Sequence, residues 1–429
     1  MLSSPHRPDV VVVGLGAVTP YGVGVSALWD GLVAGHSTAR TISRFDPTGF
    51  AVRFACEVPD FDPRSHLPRK LVRQVDPFAQ YALVAAEEAL RGAGLVEGPG
   101  GALRLPLVDG LDPARVGAMI ASGIGAVNEV SEQHDRLRTG GPGRVRPYLS
   151  IALPLNMGAG QVAIRHGLQG PAMAVVSACA SSGDAIGVAL DSIRAGRADV
   201  VVAGGAEAAI TQVTMAGFAA AGALSRRNEA PERASRPFDV ARDGFVNGEG
   251  AGLVVLERAD HAAARGARVL ARLVGYGSSN DAHHATQPSP EGTGAARALW
   301  TALADGDVDP AEVDHVNAHG TSTPANDAAE AAALRRVFGS AADAIAVTST
   351  KSAIGHLLGA AGGVEAVATV LAMRDGIVPA TLNLERQDPA CDIDVVRGEP
   401  RKITIRAALS NSFGFGGHNA VLAFRAAAR

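Results

Sequence analysis

The chain has 429 residues, with 39 Lys and Arg against 43 Asp and Glu, for a formal net charge of -4. Apolar residues make up 47% and charged residues 19%, which supplies a large buried core and excludes both disorder and a globally basic nucleic-acid binder. Gly is abundant at 51 residues and aromatics are scarce at 4%, so small side chains predict close layering of helices on sheets. Cys56, Cys179 and Cys391 are too few and too scattered for a disulfide framework or a zinc site, which points to a reducing compartment.

Met1 to Asp9 is polar, and the apolar run Val10 to Val13 is far shorter than a signal-peptide core or the ~20 residues of a spanning helix. A soluble, cytoplasmic protein without a membrane partner is expected. Short apolar runs at 10–14, 116–122, 172–178 and 198–205 predict buried strands. Gly14-Leu15-Gly16 follows the first of them, but Thr19 and Pro20 stand where a dinucleotide fingerprint needs its third glycine. No nucleotide cofactor is expected. Between the strands, 77–94 and 181–196 predict amphipathic helices closed by Gly94 and Gly196. Gly- and Pro-rich stretches at 94–113 and 138–147 predict surface loops.

The pattern restarts around Glu257 to Arg268 with a strand, a short basic helix and another strand. A helix at 293–305, strands near 313–317 and 345–348, and a helix from Ala353 onward follow. This βαβα rhythm predicts an α/β fold with covered sheets. Two comparable halves are expected, 1–268 and 269–429, although no repeat is legible by identity.

Cys179 sits in VVSACASSGDAIG, where a strand runs into a helix. A thiol at a helix N-terminus feels the positive end of the dipole, which lowers its pKa and favours the nucleophilic thiolate. The plain alternative is a small buried hydrophobe. His319 follows a strand in VNAHGTSTPANDAAE, and Lys351 and His356 stand five residues apart in TSTKSAIGHLLGAAGGVEA. Two histidines in Gly-rich turns beside a lysine are hard to explain as packing. NSFGFGGHNA at 411–420 is a third such turn, able to bring backbone N–H groups close to a ligand. A metal site is the rival reading, but His319, Asp327 and Glu330 lack the i, i+4 histidine spacing of a helical zinc site. His283-His284 reads as a polar loop pair without a role.

The constellation Cys179, His319, Lys351, His356 and the NSFGFGGHN turn resembles a β-ketoacyl-acyl-carrier-protein synthase of the elongating kind, closest to type II. The resemblance runs from VVVVGLGAVTPYG to NSFGFGGHNAVLAF, through VVAGGAEAAI at 201–210 and EAPERASRPFDVARDGFVNGEGAG at 229–252. It implies the thiolase fold, with duplicated α/β halves in a five-layer α-β-α-β-α sandwich, usually as a homodimer. The implied reaction is decarboxylative condensation of an acyl group held on Cys179 with a malonyl-acyl-carrier protein, in fatty acid elongation. A polyketide or specialised lipid pathway with the same chemistry is the alternative.

By the same resemblance, His319 and His356 polarise the malonyl thioester carbonyl, and Lys351 keeps them neutral. The backbone N–H groups of Cys179 and Phe415 form the oxyanion hole. Thr321 and Thr323 contact the pantetheine arm, and Ile124, Phe413 and Phe415 line or gate the acyl pocket. Asp327 and Glu365 support the cluster, while Lys70 and Arg73, beside Arg69, meet the acidic carrier. No metal or cofactor is implied. Three departures stand out: Asn326 replaces a usual Gly, where positive φ is expected, Asn247 replaces an apolar residue, and Ala180-Ser181-Ser182 after Cys179 is small and polar, within what a helix start allows. A non-catalytic chain-length partner would lack Cys179. A primer-type synthase or a thiolase would lack the Lys351–His356 motif alongside His319, and a cysteine hydrolase needs neither a second histidine nor a lysine.

Overall fold

Alternating apolar runs and Ala-rich helices fold into one twisted sheet that is two sheets in all but name. The structure is a computed structural model and describes residues 7–427. Its main strands are β1 (Val10–Thr19), β2 (Val116–Ala121), β3 (Ala172–Met173), β4 (Val200–Glu207), β5 (Gly250–Arg258), β6 (Ala271–Asn280), β7 (Val313–Asn317), β8 (Ala346–Thr348), β9 (Ala407–Gly414) and β10 (His418–Ala426). They run β8-β7-β9-β10-β6-β1-β5-β4-β2-β3, with Gly22–Val23 hairpinned onto β1. Outward from the middle, the first half is ordered β1-β5-β4-β2-β3 and the second β6-β10-β9-β7-β8. Strand for strand the order is the same. So is the polarity: the two inner pairings of each half are antiparallel and the two outer ones parallel. Within the sheet, the strands of the two halves pair where Val11 and Val12 face Arg272 and Ala271.

The helices that position the site are α1 (Val25–Ala34), α2 (Pro77–Gly92), α3 (Met157–His166), α4 (Ser181–Arg194), α5 (Thr293–Asp305), α6 (Pro324–Phe338) and α7 (Ala361–Asp375). Helices α4 and α7 touch each other and strands of both halves, so they form a shared central layer. Helices α2 and α3 cover the outside of the first half, and α5 and α6 that of the second. This is the five-layer thiolase arrangement. Helix α7 is buried along nearly its whole length, as a helix between two sheets must be.

Gly14 and Gly16, which mimic half a dinucleotide fingerprint, have a packing reason. A Cβ on either would lie 2.2 Å from the Ala89 carbonyl oxygen or 1.9 Å from that of Ala85, both on α2. Gly275 and Gly277 of β6 stand in the same relation to Ala302 and Ala298 of α5, at 2.1 and 2.0 Å.

Several sequence expectations are corrected. Only Ala172–Met173 of the 172–178 run pairs as strand; the rest passes through Ser177 into a 3-10 turn, Ala178–Ala180. The stretch at 138–147 is not all loop, because the helix Val127–Gly140 reaches into it. The segment at 94–113 is irregular but anchored: Leu95, Val96 and Leu105 are buried, and Leu105 N–H donates to Arg165 O at 2.9 Å. The helix from Ala353 onward is broken. A short turn, Lys351–Ile354, ends at Gly355 with φ +71, and regular helix resumes only at Ala361. By contrast, Gly196 closes the helix Ser181–Arg194 in the left-handed conformation, as expected. Among the described residues, no helix is long and apolar enough to cross a membrane.

Candidate active site

The break between Lys351 and Ala361 builds the site. His356 N–H donates to Val246 O at 2.7 Å, and His356 O accepts from Gly248 N–H at 2.9 Å. The residue is thus held like a strand beside the 245–248 segment, with its ring edge-on to Phe245 at 5.3 Å. Leu358 N–H donates to His356 Nδ1 at 3.3 Å, which leaves Nε2 as the protonated ring nitrogen. His319 follows β7. Its backbone N–H and that of Gly320 donate to the two oxygens of Glu330 on α6, each at 2.8 Å, and Asn411 Nδ2 donates to the same carboxylate at 3.0 Å. The two imidazoles lie nearly perpendicular, 5.3 Å between ring centres. His319 Nδ1 is buried with no hydrogen-bond partner among the described residues.

Both histidines are held well below the ordinary imidazole range, first by burial and then by the Lys351 charge. They are neutral at physiological pH. Lys351 is itself buried and ion-paired to Glu365 on α7. Burial raises the Glu365 carboxyl, and the ammonium opposes that shift.

Cys179 lies in the 3-10 turn ahead of α4, after Ala178 at φ +52. That strained turn presents the half-buried thiol to the cavity. The Phe415 backbone N–H and the Lys351 charge both favour the thiolate, yet burial outweighs them and pushes the thiol up to about 12. The expectation of a depressed pKa is corrected: desolvation acts against the helix dipole, and the resting group is a thiol. Gly414 makes the approach of the Phe415 turn possible. A Cβ there would lie 2.6 Å from Ser177 O and 3.0 Å from Cys179 N.

One cavity of about 480 Å3 gathers Cys179, His319, His356, Ile124, Thr321, Thr323, Phe413 and Phe415 in its wall. Thr321 and Thr323 share a hydroxyl–hydroxyl bond of 2.9 Å. Lys351, Glu365 and Asp327 stand behind the wall. Asp327 accepts from Phe238 N–H at 2.8 Å and Ser322 N–H at 3.2 Å, and it faces Arg242 at 3.5 Å; it fixes the Thr321–Thr323 turn. Burial raises its carboxyl. Lys70 and Arg73 lie apart from the cavity, on the exposed surface around a short turn of helix.

Asn326 is not in the left-handed region. It sits in the first turn of α6, and the positive φ falls at Gly320 and Ser322 instead. Its side chain lines the cavity and donates to Asp327 at 3.2 Å. Asn247 does not reach the cavity wall. Its amide donates to Ala209 O at 3.3 Å, and its Oδ1 has no hydrogen-bond partner among the described residues.

Sequence reasoning missed Phe218 and Phe245, which line the cavity, and the structural carboxylate Glu207, and it weighed Glu330 only as a metal ligand. A charged residue closing the apolar strand VVVAGGAE was the available signal for Glu207. Burial pushes Glu330 up to about 7. Among the described residues, no group of three or more His, Cys, Asp or Glu side chains is placed to share a metal ion.

The comparisons agree with this geometry. The model described as β-ketoacyl synthase, N-terminal domain, matches residues 7–262, and the C-terminal domain model matches residues 270–385. A 3-oxoacyl-[acyl-carrier-protein] synthase 2 from Synechocystis sp. is 46% identical, over 99% of this chain and 99% of that protein. One from Coxiella burnetii is 44% identical over 97% and 98%. Among solved structures, the ishigamide ketosynthase/chain length factor superposes with a TM-score of 0.89 at 36% identity, covering 98% of this chain and 100% of that one. A type II PKS acyl-carrier protein in complex with its ketosynthase bound to the hexaketide gives 0.89 at 33% identity, covering 99% and 100%. A chain that carries the Cys, two neutral His and a buried Lys in this frame, and matches both family models, belongs to the β-ketoacyl synthase family.

Proposed function

We propose that this enzyme is a 3-oxoacyl-[acyl-carrier-protein] synthase of type II, elongating fatty acyl chains by decarboxylative condensation. The observation that carries the reading is the convergence of one thiol and two neutral imidazoles on one cavity. Cys179 accepts the acyl group from its carrier thioester, and the N–H groups of Cys179 and Phe415 receive the oxyanion. Malonyl-carrier then enters, and loss of CO2 places negative charge on the thioester oxygen, where His319 and His356 stabilise it as donors. The resulting carbanion attacks the acyl-Cys179 carbonyl, the thiolate leaves, and 3-oxoacyl-carrier departs. Thr321 and Thr323 take the pantetheine arm; Ile124, Phe413 and Phe415 shape the acyl space.

The carrier protein docks at Lys70 and Arg73. The enzyme works as a homodimer, for which β3 is an unpaired sheet edge and Leu153, Ile164, Met173 and Val176 are exposed. The functional halves are residues 1–268, which carry Cys179, and 269–429, which carry the His, Lys and His. Three free cysteines favour the reducing cytoplasm. The same chemistry in a polyketide pathway is the second reading, favoured by the likeness to the ketosynthase of the type II PKS complex. Incubation with acyl- and malonyl-carriers should give 3-oxoacyl-carrier, CO2 and a mass-shifted Cys179. Hydrolysis of the acyl-carrier without condensation would overturn the reading.

A further inference from the structure

Glu207 closes β4 and is fully buried, and among the described residues no cation pairs with it. Five donors converge on its carboxylate instead. Ser122 Oγ donates at 2.8 Å, Gly123 N–H at 2.7 Å, Ile124 N–H at 3.2 Å and Gly125 N–H at 3.3 Å. The fifth, Gly359 N–H at 3.0 Å, comes from the other half of the molecule. The two loops also touch directly, since a Cβ on Gly359 would lie 2.1 Å from Gly123 N.

Each loop carries a different working part. The first carries Ile124, in the wall of the acyl cavity. The second begins at Leu358, whose N–H sets the tautomer of His356 and whose left-handed backbone, φ +50, leaves it little freedom. A carboxylate that bonds Ile124 N–H with one oxygen and Gly359 N–H with the other makes these two parts one body.

We propose that Glu207 is a positioning residue that couples the acyl wall at Ile124 to the orientation of His356. This rests on the condensing-enzyme reading above. An acyl chain on Cys179 that presses on Ile124 shifts the Gly123–Gly125 loop against the carboxylate. The shift passes through Gly359 to the Leu358 N–H and the imidazole it holds. Acylation of Cys179 is thereby felt where malonyl is decarboxylated.

Glu207→Gln tests the coupling, because an amide must turn an NH2 group toward donors that need an acceptor. Ser122→Ala is the milder variant, since it removes one donor and the hydroxyl that accepts from Gly125 N–H at 3.0 Å. Two quantities are read on each purified, folded enzyme: kcat for malonyl-carrier decarboxylation, and the chain-length profile of Cys179 acylation. In Glu207→Gln, decarboxylation should fall by up to about 100-fold, the scale of a small misplacement. The preference among acyl chain lengths should flatten at the same time. Ser122→Ala should move both in the same direction by less. If only one quantity moves, if both stay at the wild-type level, or if neither variant folds, Glu207 is a structural carboxylate and the coupling is wrong. Wild-type enzyme in the same assay separates the two failures: if it neither acylates Cys179 nor decarboxylates malonyl-carrier, it is the condensing reading that falls.

Discussion

At Cys179 two opposing physical effects meet, and their order decides the chemistry. The helix start and Lys351 favour a thiolate, while burial pushes the thiol up to about 12. In the proposed mechanism this thiol loses its proton as the acyl group is transferred, with Lys351 and the Phe415 N–H favouring the thiolate against burial. Cys179→Ala should abolish acyl transfer, and Cys179→Gln should leave malonyl decarboxylation running; intact-protein mass and CO2 release report each. Replacing either His319 or His356 by Ala should cut decarboxylation about 10²–10³-fold, the usual cost of one oxyanion donor. The neutral state of both is tested through Lys351. Its charge lowers both imidazoles, so removing it lets their pKa values rise. Lys351→Met combined with Glu365→Gln, which avoids an unpaired buried acid, should therefore move the acid limb of the decarboxylation profile to higher pH. An acid limb that stays in place would show that Lys351 does not hold the histidines neutral.

Elements whose pattern is local were legible in the sequence; those fixed by distant partners were not. Helix 293–305 and strand 313–317 fall where periodicity puts them. The run at 172–178 reads as strand because it is apolar, but beyond Met173 it leaves the sheet to deliver Cys179. His356 reads as helical because Gly and Ala surround it, yet Val246 and Gly248, over a hundred residues away, claim its backbone. The repeat escaped identity because little records it beyond a Val-Gly-x-Gly run at the close helix–strand contacts: Gly14 and Gly16, then Gly275 and Gly277. That explanation is testable. Gly16→Ala or Gly277→Ala should destabilise by at least about 1–3 kcal/mol, because the methyl group must displace a helix backbone. Gly217→Ala, in a helix with nothing within 4 Å of the added methyl, should instead gain about 0.4–1 kcal/mol. Urea midpoints compare the three.

For the whole molecule, the duplicated order places the nucleophile at the start of α4 and the histidines after β7 and β8, so both halves meet over the central layer. The family was legible because Cys179, His319, Lys351 and His356 each sit in a distinctive turn. The bonding of the carboxylates Glu207 and Glu330 was not, because most of their partners are backbone N–H groups, which leave no mark in sequence. Carrier docking is a property of the whole surface. A net charge of -4 repels an acidic carrier, so attraction must be local. Lys70 and Arg73 are exposed beside Arg69, and Arg146 donates to Arg73 O at 3.1 Å, adding a fourth cation to the patch. Arg146 is partly neutralised by Glu129 and Glu132 at 3.7 and 3.6 Å, so the proposed docking is tested at Lys70 and Arg73. Lys70→Glu with Arg73→Glu should raise KM for carrier-bound substrate and leave kcat nearly unchanged. A small pantetheine thioester, which never meets the patch, should be used as before. The difference should shrink with added salt, because exposed charges are screened over about 8 Å at physiological ionic strength. Equal loss on both substrates would mean that the substitutions damaged the fold, and the docking assignment would fall with it.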